Sequence, residues 1–215
     1  MSLKLAQIQQ NKLSWPDRDR LKTYCFQTLL LLCIFVVVYG SANHHAILQT
    51  QVYHLWLPFE LNIPLIPEFI LIYCSINLVT ILPLFTLTSR KIKRMGYSFA
   101  ASFLMAGIVF YFFPAPVGFT RGLQPANFSE IFRWLYILDE STNTFPSLHI
   151  CLSYLTVRIL AEDWHRLRFL WIWFFLICLS VLFTHQHHLI DILGGFILAE
   201  FNFHAIYHNS YLERL

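Results

Sequence analysis

The segment LRFLWIWFFLICLSVLFTHQHHLIDILGGFILAEFNFHAIY, residues 167–207, consists of two long apolar runs separated by a short polar stretch. A transmembrane helix needs about 20 mostly apolar residues, because the hydrocarbon layer is about 30 Å thick and a helix rises about 1.5 Å per residue. We therefore predict that Leu167–Phe183 and Leu189–Tyr207 each span a membrane. Three histidines lie in the connection between them, and Asp191 lies at the start of the second run.

The composition of the whole chain is that of a membrane protein. Hydrophobic residues make up 57% of the 215 residues and charged residues 13%, and the mean hydropathy is +0.55. This is too apolar for an ordinary soluble domain. We predict six spans: Thr23–Gly40, Ile66–Leu87, Tyr97–Phe113, Pro146–Ala161, Leu167–Phe183 and Leu189–Tyr207. The predicted fold is all-α, a six-span transmembrane helical bundle with short interfacial helices.

The segments outside these spans complete the predicted organisation. Ala46–Phe59 contains glutamines and a histidine, so we predict a helix that lies on the membrane surface. We expect residues 1–22 to form a cytoplasmic segment, 23–208 the membrane catalytic domain and 209–215 a cytoplasmic tail. No clear cleavage site follows the first span, which predicts an uncleaved anchor. The five cysteines lie within predicted spans and lack CxxC spacing, so neither a disulfide nor a thiolate metal site is predicted.

The basic residues predict the orientation in the membrane, because Lys and Arg are retained on the cytoplasmic side. With six spans, one face carries Lys4, Lys12, Arg18, Arg20, Lys22, Arg90, Lys91, Lys93, Arg94, Arg166, Arg168 and Arg214. The opposite face carries only Arg121 and Arg133, while Arg158 lies near the cytoplasmic end of the fourth span, where it is expected to snorkel. We predict that both termini are cytoplasmic, in a bacterial inner membrane or an organelle membrane. The net charge of +3 reflects these loops and does not indicate nucleic-acid binding.

Polar residues from distant parts of the sequence converge on the other face, which is periplasmic or lumenal. FPSLH, residues 145–149, lies at the predicted start of the fourth span, where Pro146 suits a first helical turn. The amides of such a turn attract anions, and Ser147 adds a hydroxyl group beside them. Arg121, in FFPAPVGFTRG at residues 112–122, has a planar guanidinium that can bind phosphate with two hydrogen bonds. The pattern predicts an anion site on this face.

Two histidines near this anion site predict that it is catalytic. His187 and Asp191 have i, i+4 spacing, so on a helix the carboxylate can accept one ring N–H and raise the basicity of the other nitrogen. His149 is a second histidine at the same face. An activated histidine, an acid and a set of anion ligands are suited to phosphoryl transfer through a phosphohistidine.

FPSLH and HQHHLIDILGG resemble the second and third signature motifs of the phosphatidic acid phosphatase type 2 superfamily. The resemblance covers roughly residues 61–200. LYILDESTNTFPSLH (135–149) and LNIPLIPEFILIY (61–73) look more like the branch of inositol phosphorylceramide synthases and related bacterial proteins. The resemblance implies a metal-independent enzyme that acts on a lipid phosphate without a cofactor. It also implies that His187 is the nucleophile with Asp191 as its partner, that His149 is the acid and base, and that Ser147 and Arg121 hold phosphate oxygens.

The sequence departs from the family pattern at several positions. Pro114 and Gly122 replace the Lys and Pro of the family's first motif, and Val181 follows Ser180 where an Arg is usual. We expect His185, when protonated, to supply part of the missing positive charge. These departures leave open a lipid phosphotransferase, which would move a phospho-headgroup to an alcohol, beside the lipid phosphatase.

Alternative roles remain open for several residues. Ser147 could be only a helix cap, Arg121 could anchor a loop to lipid headgroups, and Asp139 and Asn143 could be loop caps or substrate contacts. The histidine cluster could instead hold a metal, or the polar face could belong to a transporter. The sequence does not distinguish phosphatidic acid, phosphatidylglycerophosphate, an isoprenoid pyrophosphate and a sphingolipid headgroup donor as substrates, and it leaves the oligomeric state open.

Overall fold

The computed structural model describes residues 14–121, 128–138, 142–163 and 165–208. Every regular element in these ranges is helical. In chain order the α-helices are α1 (Arg18–Ile47), α2 (Phe69–Cys74), α3 (Ile76–Val79), α4 (Leu82–Thr86), α5 (Ser89–Phe112), α6 (Ser129–Leu138), α7 (Leu148–Asp163), α8 (Leu170–Phe183) and α9 (Leu189–Asn202). Two 3₁₀ turns, Pro58–Asn62 and His165–Phe169, and a terminal π-helix, Phe203–Tyr207, complete the set.

Four helical runs in the described ranges are long and apolar enough to cross a membrane: Arg18–Ile47, Phe69–Thr86, Ser89–Phe112 and Leu189–Tyr207. Leu167–Phe183 is apolar but shorter, and α7 has 16 residues. The all-helical membrane character of the prediction is thus confirmed, with four of the six expected spans. The outer surface of α1 also fits a lipid environment, since Leu29, Val36 and Val37 are 60 to 68% exposed.

The second apolar run is broken into α2, α3 and α4 instead of forming one continuous helix. Ser75 and Thr80 lie at the two breaks, where their hydroxyl groups donate to the carbonyl oxygens of Ile72 and Ile76. Such hydroxyl groups compete with the regular backbone ladder and bend helices. Pro83 is the second residue of the third piece and has no N–H to donate to the preceding turn. The breaks lie beside the cavity described below.

The predicted surface helix at Ala46–Phe59 is wrong. Helix α1 continues to Ile47, residues 48–57 form no helix, and a 3₁₀ turn begins at Pro58. The backbone N–H of Tyr53 donates to the carbonyl of Pro114 at 2.9 Å, so this segment is held against the loop that follows α5. Tertiary hydrogen bonds have therefore replaced the expected local helix.

Glycines allow the helices that carry the motifs to approach each other closely. A Cβ atom on Gly195 would lie 2.5 Å from the carbonyl oxygen of Ser147, and one on Gly194 would lie 2.5 Å from the ring of Phe145. The start of α9 therefore packs directly on the segment that leads into α7. Close contact between these helices brings the two histidine motifs together.

Arg158, which is expected to snorkel near the cytoplasmic end of its span, has a side chain that is 32% exposed. Its guanidinium lies 4.3 Å from the ring centre of Phe203 and 3.9 Å from a carboxylate oxygen of Glu200. Tyr154 donates to the same carboxylate. Arg158, Glu200 and Tyr154 thus form a polar cluster between α7 and α9, in which a carboxylate lies near the arginine charge.

Candidate active site

His187 lies in the short connection between α8 and α9, next to Asp191 in the first turn of α9. The Nδ1 atom of His187 is 3.5 Å from Oδ2 of Asp191, and the two residues are 7% and 1% exposed. The backbone N–H of His188 donates to the same carboxylate oxygen at 2.8 Å. That bond caps α9 and fixes the carboxylate on the Nδ1 side of the imidazole. The structure thus brings these two residues together as expected, although His187 precedes the helix.

His149 lies in the first turn of α7 and contacts Tyr73 in two ways. Its ring stacks on the Tyr73 ring at a centroid distance of 3.9 Å, and its Nε2 atom is 3.0 Å from the Tyr73 carbonyl oxygen. A carbonyl oxygen only accepts, so Nε2 carries the proton and Nδ1 is the nitrogen left for proton exchange. The broken helix α2–α4 therefore fixes the orientation of this histidine.

His149 and His187 line one cavity of about 510 Å³. Its walls come from α1, α2–α4, α5 and α7, and most of the lining side chains are apolar or aromatic, including Leu31, Phe99 and Leu152. The two imidazoles thus face a space suited in size to a small molecule or part of a lipid. Asn143 also lines this cavity.

Ser147 is completely buried and acts as the cap of α7. Its Oγ atom accepts from the N–H of Ile150 at 3.3 Å, and its own N–H donates to the carbonyl of Asp191 at 3.1 Å. The helix begins at Leu148, so Pro146 precedes the first turn instead of forming part of it. The second hydrogen bond ties the two motifs together, and the hydroxyl proton of Ser147 is not used by the cap.

Arg121 lies beside the histidine connection at the end of its loop. Its Nη2 atom donates to Oε1 of Gln186 at 3.3 Å, and its guanidinium lies 4.3 Å from the ring centre of Tyr136. Gln186 is the residue immediately before His187. Arg121, the predicted phosphate ligand, therefore contacts the residue that precedes the predicted nucleophile His187 in the sequence.

His185 does not fit the expected role of a replacement cation. Its Nε2 atom is 2.9 Å from the carbonyl oxygen of Ile63, and its ring stacks on Phe119 at 3.9 Å. Burial lowers the pKa of His185, so the neutral form is favoured at neutral pH. Its φ of 57° is in the left-handed region, where it turns the chain sharply between α8 and α9. The geometry favours a structural role.

Asn143 is buried and connects its loop to α1. The side-chain amides of Asn143 and Asn43 are 2.7 Å apart, and Thr144 donates through its N–H and hydroxyl to the carbonyl of Ala115. These contacts hold the segment before α7 in place, as expected for a loop-capping residue. Asp139, the other predicted contact, lies outside the described residues.

Sequence reasoning missed a buried pair formed by His188 and Glu60. Their side chains are 2% and 1% exposed, and Nδ1 of His188 is 3.2 Å from Oε2 of Glu60. Burial lowers the pKa of His188 despite the neighbouring carboxylates. The two residues are 128 positions apart in the sequence, so no local spacing could have indicated the contact. The signal for this pair in the sequence was Glu60 itself, a carboxylate within an apolar segment.

The described part of the chain contains no group of three or more His, Cys, Asp or Glu side chains arranged to hold a metal ion. His149 and His185 each form a hydrogen bond to a backbone carbonyl oxygen, and His188 pairs with Glu60. What the arrangement offers chemically is a pair of imidazoles at one cavity, a carboxylate behind one of them and a guanidinium nearby.

The family model described as the PAP2 superfamily matches residues 66–205, from just before α2 into the π-helix that follows α9. The chain belongs to the PAP2 superfamily. This membership indicates an activity of the phosphatase or phosphotransferase type. No curated protein and no solved structure matches the chain at a significant level. The expected likeness to the inositol phosphorylceramide synthase branch stays a prediction.

Proposed function

We propose that this PAP2 protein is a membrane lipid phosphatase that hydrolyses a phosphomonoester or pyrophosphate of a lipid through a phosphohistidine on His187. The observation that carries the proposal is the shared cavity of His149 and His187, together with Asp191 at 3.5 Å from Nδ1 of His187. A carboxylate on the Nδ1 side favours the tautomer in which Nε2 has a lone pair. Nε2 is then the nucleophilic atom.

The reaction proceeds in two balanced steps. In the first step, the Nε2 lone pair of His187 attacks phosphorus while the bond from phosphorus to the lipid oxygen breaks, and His149, which enters the step protonated on both ring nitrogens, donates its Nδ1 proton to the departing oxygen. In the second step, His149 takes a proton from water, the water oxygen attacks phosphorus, and the phosphorus–nitrogen bond breaks. Inorganic phosphate leaves and both histidines return to their starting states.

The remaining site residues stabilise charge on the transferring group. Arg121, the hydroxyl of Ser147 and the first amides of α7 are the proposed ligands of its non-bridging oxygens. Support comes from the Arg121 contact with Gln186 and from the Ser147 contact with the backbone of Asp191. Both contacts tie an anion ligand to the segment that carries the nucleophile.

The apolar cavity supports a lipid substrate. A phosphate presented to His149 and His187 leaves the attached chain next to hydrocarbon side chains such as Leu31, Phe35 and Phe99. Burial of such a chain is favourable by about 0.8 kcal/mol for each methylene group. The substrate class in this proposal is therefore an amphiphile with a phosphate at headgroup depth.

The proposal includes six spans, with α7 and the run Leu167–Phe183 as the two short ones, both termini cytoplasmic and the site on the periplasmic or lumenal face. The distribution of Lys and Arg supports this orientation. Since α7 has 16 residues, it is about 24 Å long. A helix of this length can cross if its outer end opens at the polar site.

A lipid phosphotransferase is the second candidate. Here an alcohol takes the place of water in the second step, with His149 as the base. The apolar wall beside His149, formed in part by Leu148 and Leu152, favours an acceptor with a hydrocarbon portion over water. When the donor is a phosphodiester lipid, His187 carries the phospho-headgroup after the first step, and its transfer to the alcohol produces a new phosphodiester.

Both candidate functions are tested by incubating the detergent-purified protein with a panel of lipid phosphates. His187→Ala is the matched variant that is expected to be inactive. The phosphatase predicts inorganic phosphate from the wild type only. If the protein is a phosphotransferase, mass spectrometry should detect exchange of lipid headgroups with the wild type and not with His187→Ala, and no free phosphate should appear. Equal activity of wild type and His187→Ala would remove His187 as the nucleophile.

A further inference from the structure

The carboxylate of Glu60 is buried beside His188 and is held in place by several hydrogen bonds. Oε1 of Glu60 accepts from the N–H of Leu57 at 2.9 Å, and Oε2 accepts from the N–H of Leu189 at 2.8 Å. Nδ1 of His188 approaches the same Oε2 at 3.2 Å. A buried carboxylate is stable only when such partners surround it. The two-step reaction above uses neither residue, so the pair needs another explanation.

The tautomer of His188 is fixed by a contact on its other side. The backbone N–H of Gly118 donates to Nε2 of His188 at 2.9 Å. Because a backbone N–H is always the donor, Nε2 carries no proton and Nδ1 must donate to Glu60. The neutral imidazole thus connects Glu60 on one side to the chain at Gly118 on the other.

Gly118 belongs to the Arg121 loop, which we define as residues 114–121. Phe119 of this loop stacks on the His188 ring at 4.6 Å, and the Trp56 ring stacks on His188 at 5.3 Å. A Cβ atom on Gly118 would lie 2.5 Å from the Trp56 ring, so only glycine permits this approach. The loop is thereby held against His188 three residues before Arg121.

We propose that His188, oriented by Glu60, is a positioning residue that holds the Arg121 loop so that the Arg121 guanidinium meets the transferring phosphate. The inference rests on the proposed function, since it assigns Arg121 to the phosphate. His188 does not touch the substrate in this proposal. It acts through the hydrogen bond from Gly118 and the stack with Phe119.

Two amide variants separate the two hydrogen bonds of His188. In His188→Gln the side-chain oxygen can occupy the place of Nε2 and accept from Gly118, whereas the bond to Glu60 is lost. In His188→Asn the side-chain nitrogen can occupy the place of Nδ1 and donate to Glu60, but the side chain is too short to reach Gly118. His204→Gln and His204→Asn are the matched controls, because the His204 side chain is 67% exposed and lies in the π-helix that follows α9, far from the Arg121 loop in sequence.

The first measurement is amide hydrogen exchange of the Arg121 loop in detergent-solubilised protein. We expect wild type, His188→Gln and both controls to protect the Gly118 amide, and His188→Asn to lose that protection. Equal protection in the Gln and Asn variants overturns the proposal. This measurement does not depend on turnover.

The second measurement is kcat/KM on a lipid phosphate for a double-mutant cycle with Arg121→Ala. We expect His188→Asn to lower kcat/KM about ten- to a hundredfold alone, and to add less than about threefold in the Arg121→Ala background. Losses that multiply in the double variant overturn the link to Arg121. A wild type that turns over no lipid phosphate overturns the proposed function, and the exchange measurement then decides the His188 contact by itself.

Discussion

One carboxylate oxygen of Asp191 contacts both the backbone of His188 and the ring of His187, and a substitution can distinguish the roles of these two contacts. Its Oδ2 accepts from the N–H of His188 at 2.8 Å and lies 3.5 Å from Nδ1 of His187. An asparagine can keep the first contact through its oxygen. That oxygen then takes the place of Oδ2, so Nδ1 of His187 still faces an acceptor, but the negative charge that stabilises the positively charged ring of His187 during the reaction is lost.

Asp191→Asn is therefore expected to lower kcat by about 10³- to 10⁴-fold, as for the corresponding change in a catalytic triad, with little change in stability. Asp191→Ala should lose the helix cap as well, at a cost of about 1 kcal/mol in the free energy of unfolding. Turnover of a lipid phosphate and thermal unfolding in detergent measure the two effects. An active Asp191→Asn protein would show that the carboxylate charge does not act on His187.

At the level of the helices, the site depends on how closely α9 approaches the start of α7. A Cβ atom on Gly195 would lie 2.5 Å from the Ser147 carbonyl oxygen and 3.0 Å from Cβ of Ile150. Neither neighbour is the flexible end of a side chain, so the helices must move apart. That movement would separate Ser147 from the Asp191 backbone, to which it is hydrogen-bonded.

Gly195→Ala is expected to lower the free energy of unfolding by about 1 to 3 kcal/mol and to reduce kcat/KM more than tenfold. The matched control is Gly40→Ala in α1, where nothing lies within 4 Å of the added Cβ atom. Helix propensity predicts that this control gains up to about 1 kcal/mol. Unfolding temperature and turnover of the two variants test the packing argument, which fails if Gly195→Ala behaves like Gly40→Ala.

Local sequence patterns predict some of these elements and miss others for physical reasons. The apolar runs predict helices because a membrane requires them. The i, i+4 spacing of His187 and Asp191 predicts their contact, which forms although His187 precedes α9. The contact of Glu60 with His188 and the path of residues 48–57 depend on hydrogen bonds between distant segments. Periodicity carries no information about such pairs. The helix breaks at Ser75 and Thr80 were missed because single Ser and Thr residues within an apolar run are compatible with a continuous helix, so the sequence alone does not indicate that the helix is broken there.

On the scale of the whole molecule, one cavity is lined by helix α1, from the first part of the sequence, and by the two histidines His149 and His187. Leu152 lines it about one turn after His149 on α7, whereas Leu193 is 52% exposed on the outer surface of α9. A larger side chain at Leu152 would reduce the space for a lipid chain and leave the phosphate ligands in place. The same change at Leu193 would only enlarge the lipid-facing surface.

Leu152→Trp is therefore expected to reduce kcat/KM for a long-chain lipid phosphate about tenfold or more, which corresponds to the loss of roughly two buried methylene groups. A short water-soluble phosphate ester should be hydrolysed at a rate close to that of the wild type, because it does not occupy the cavity. Leu193→Trp should leave both rates unchanged. The ratio of the two rates is the decisive quantity, since it cancels any change in the amount of active protein. Equal losses on both substrates would show that the lipid chain lies outside this cavity and that only the headgroup enters the site.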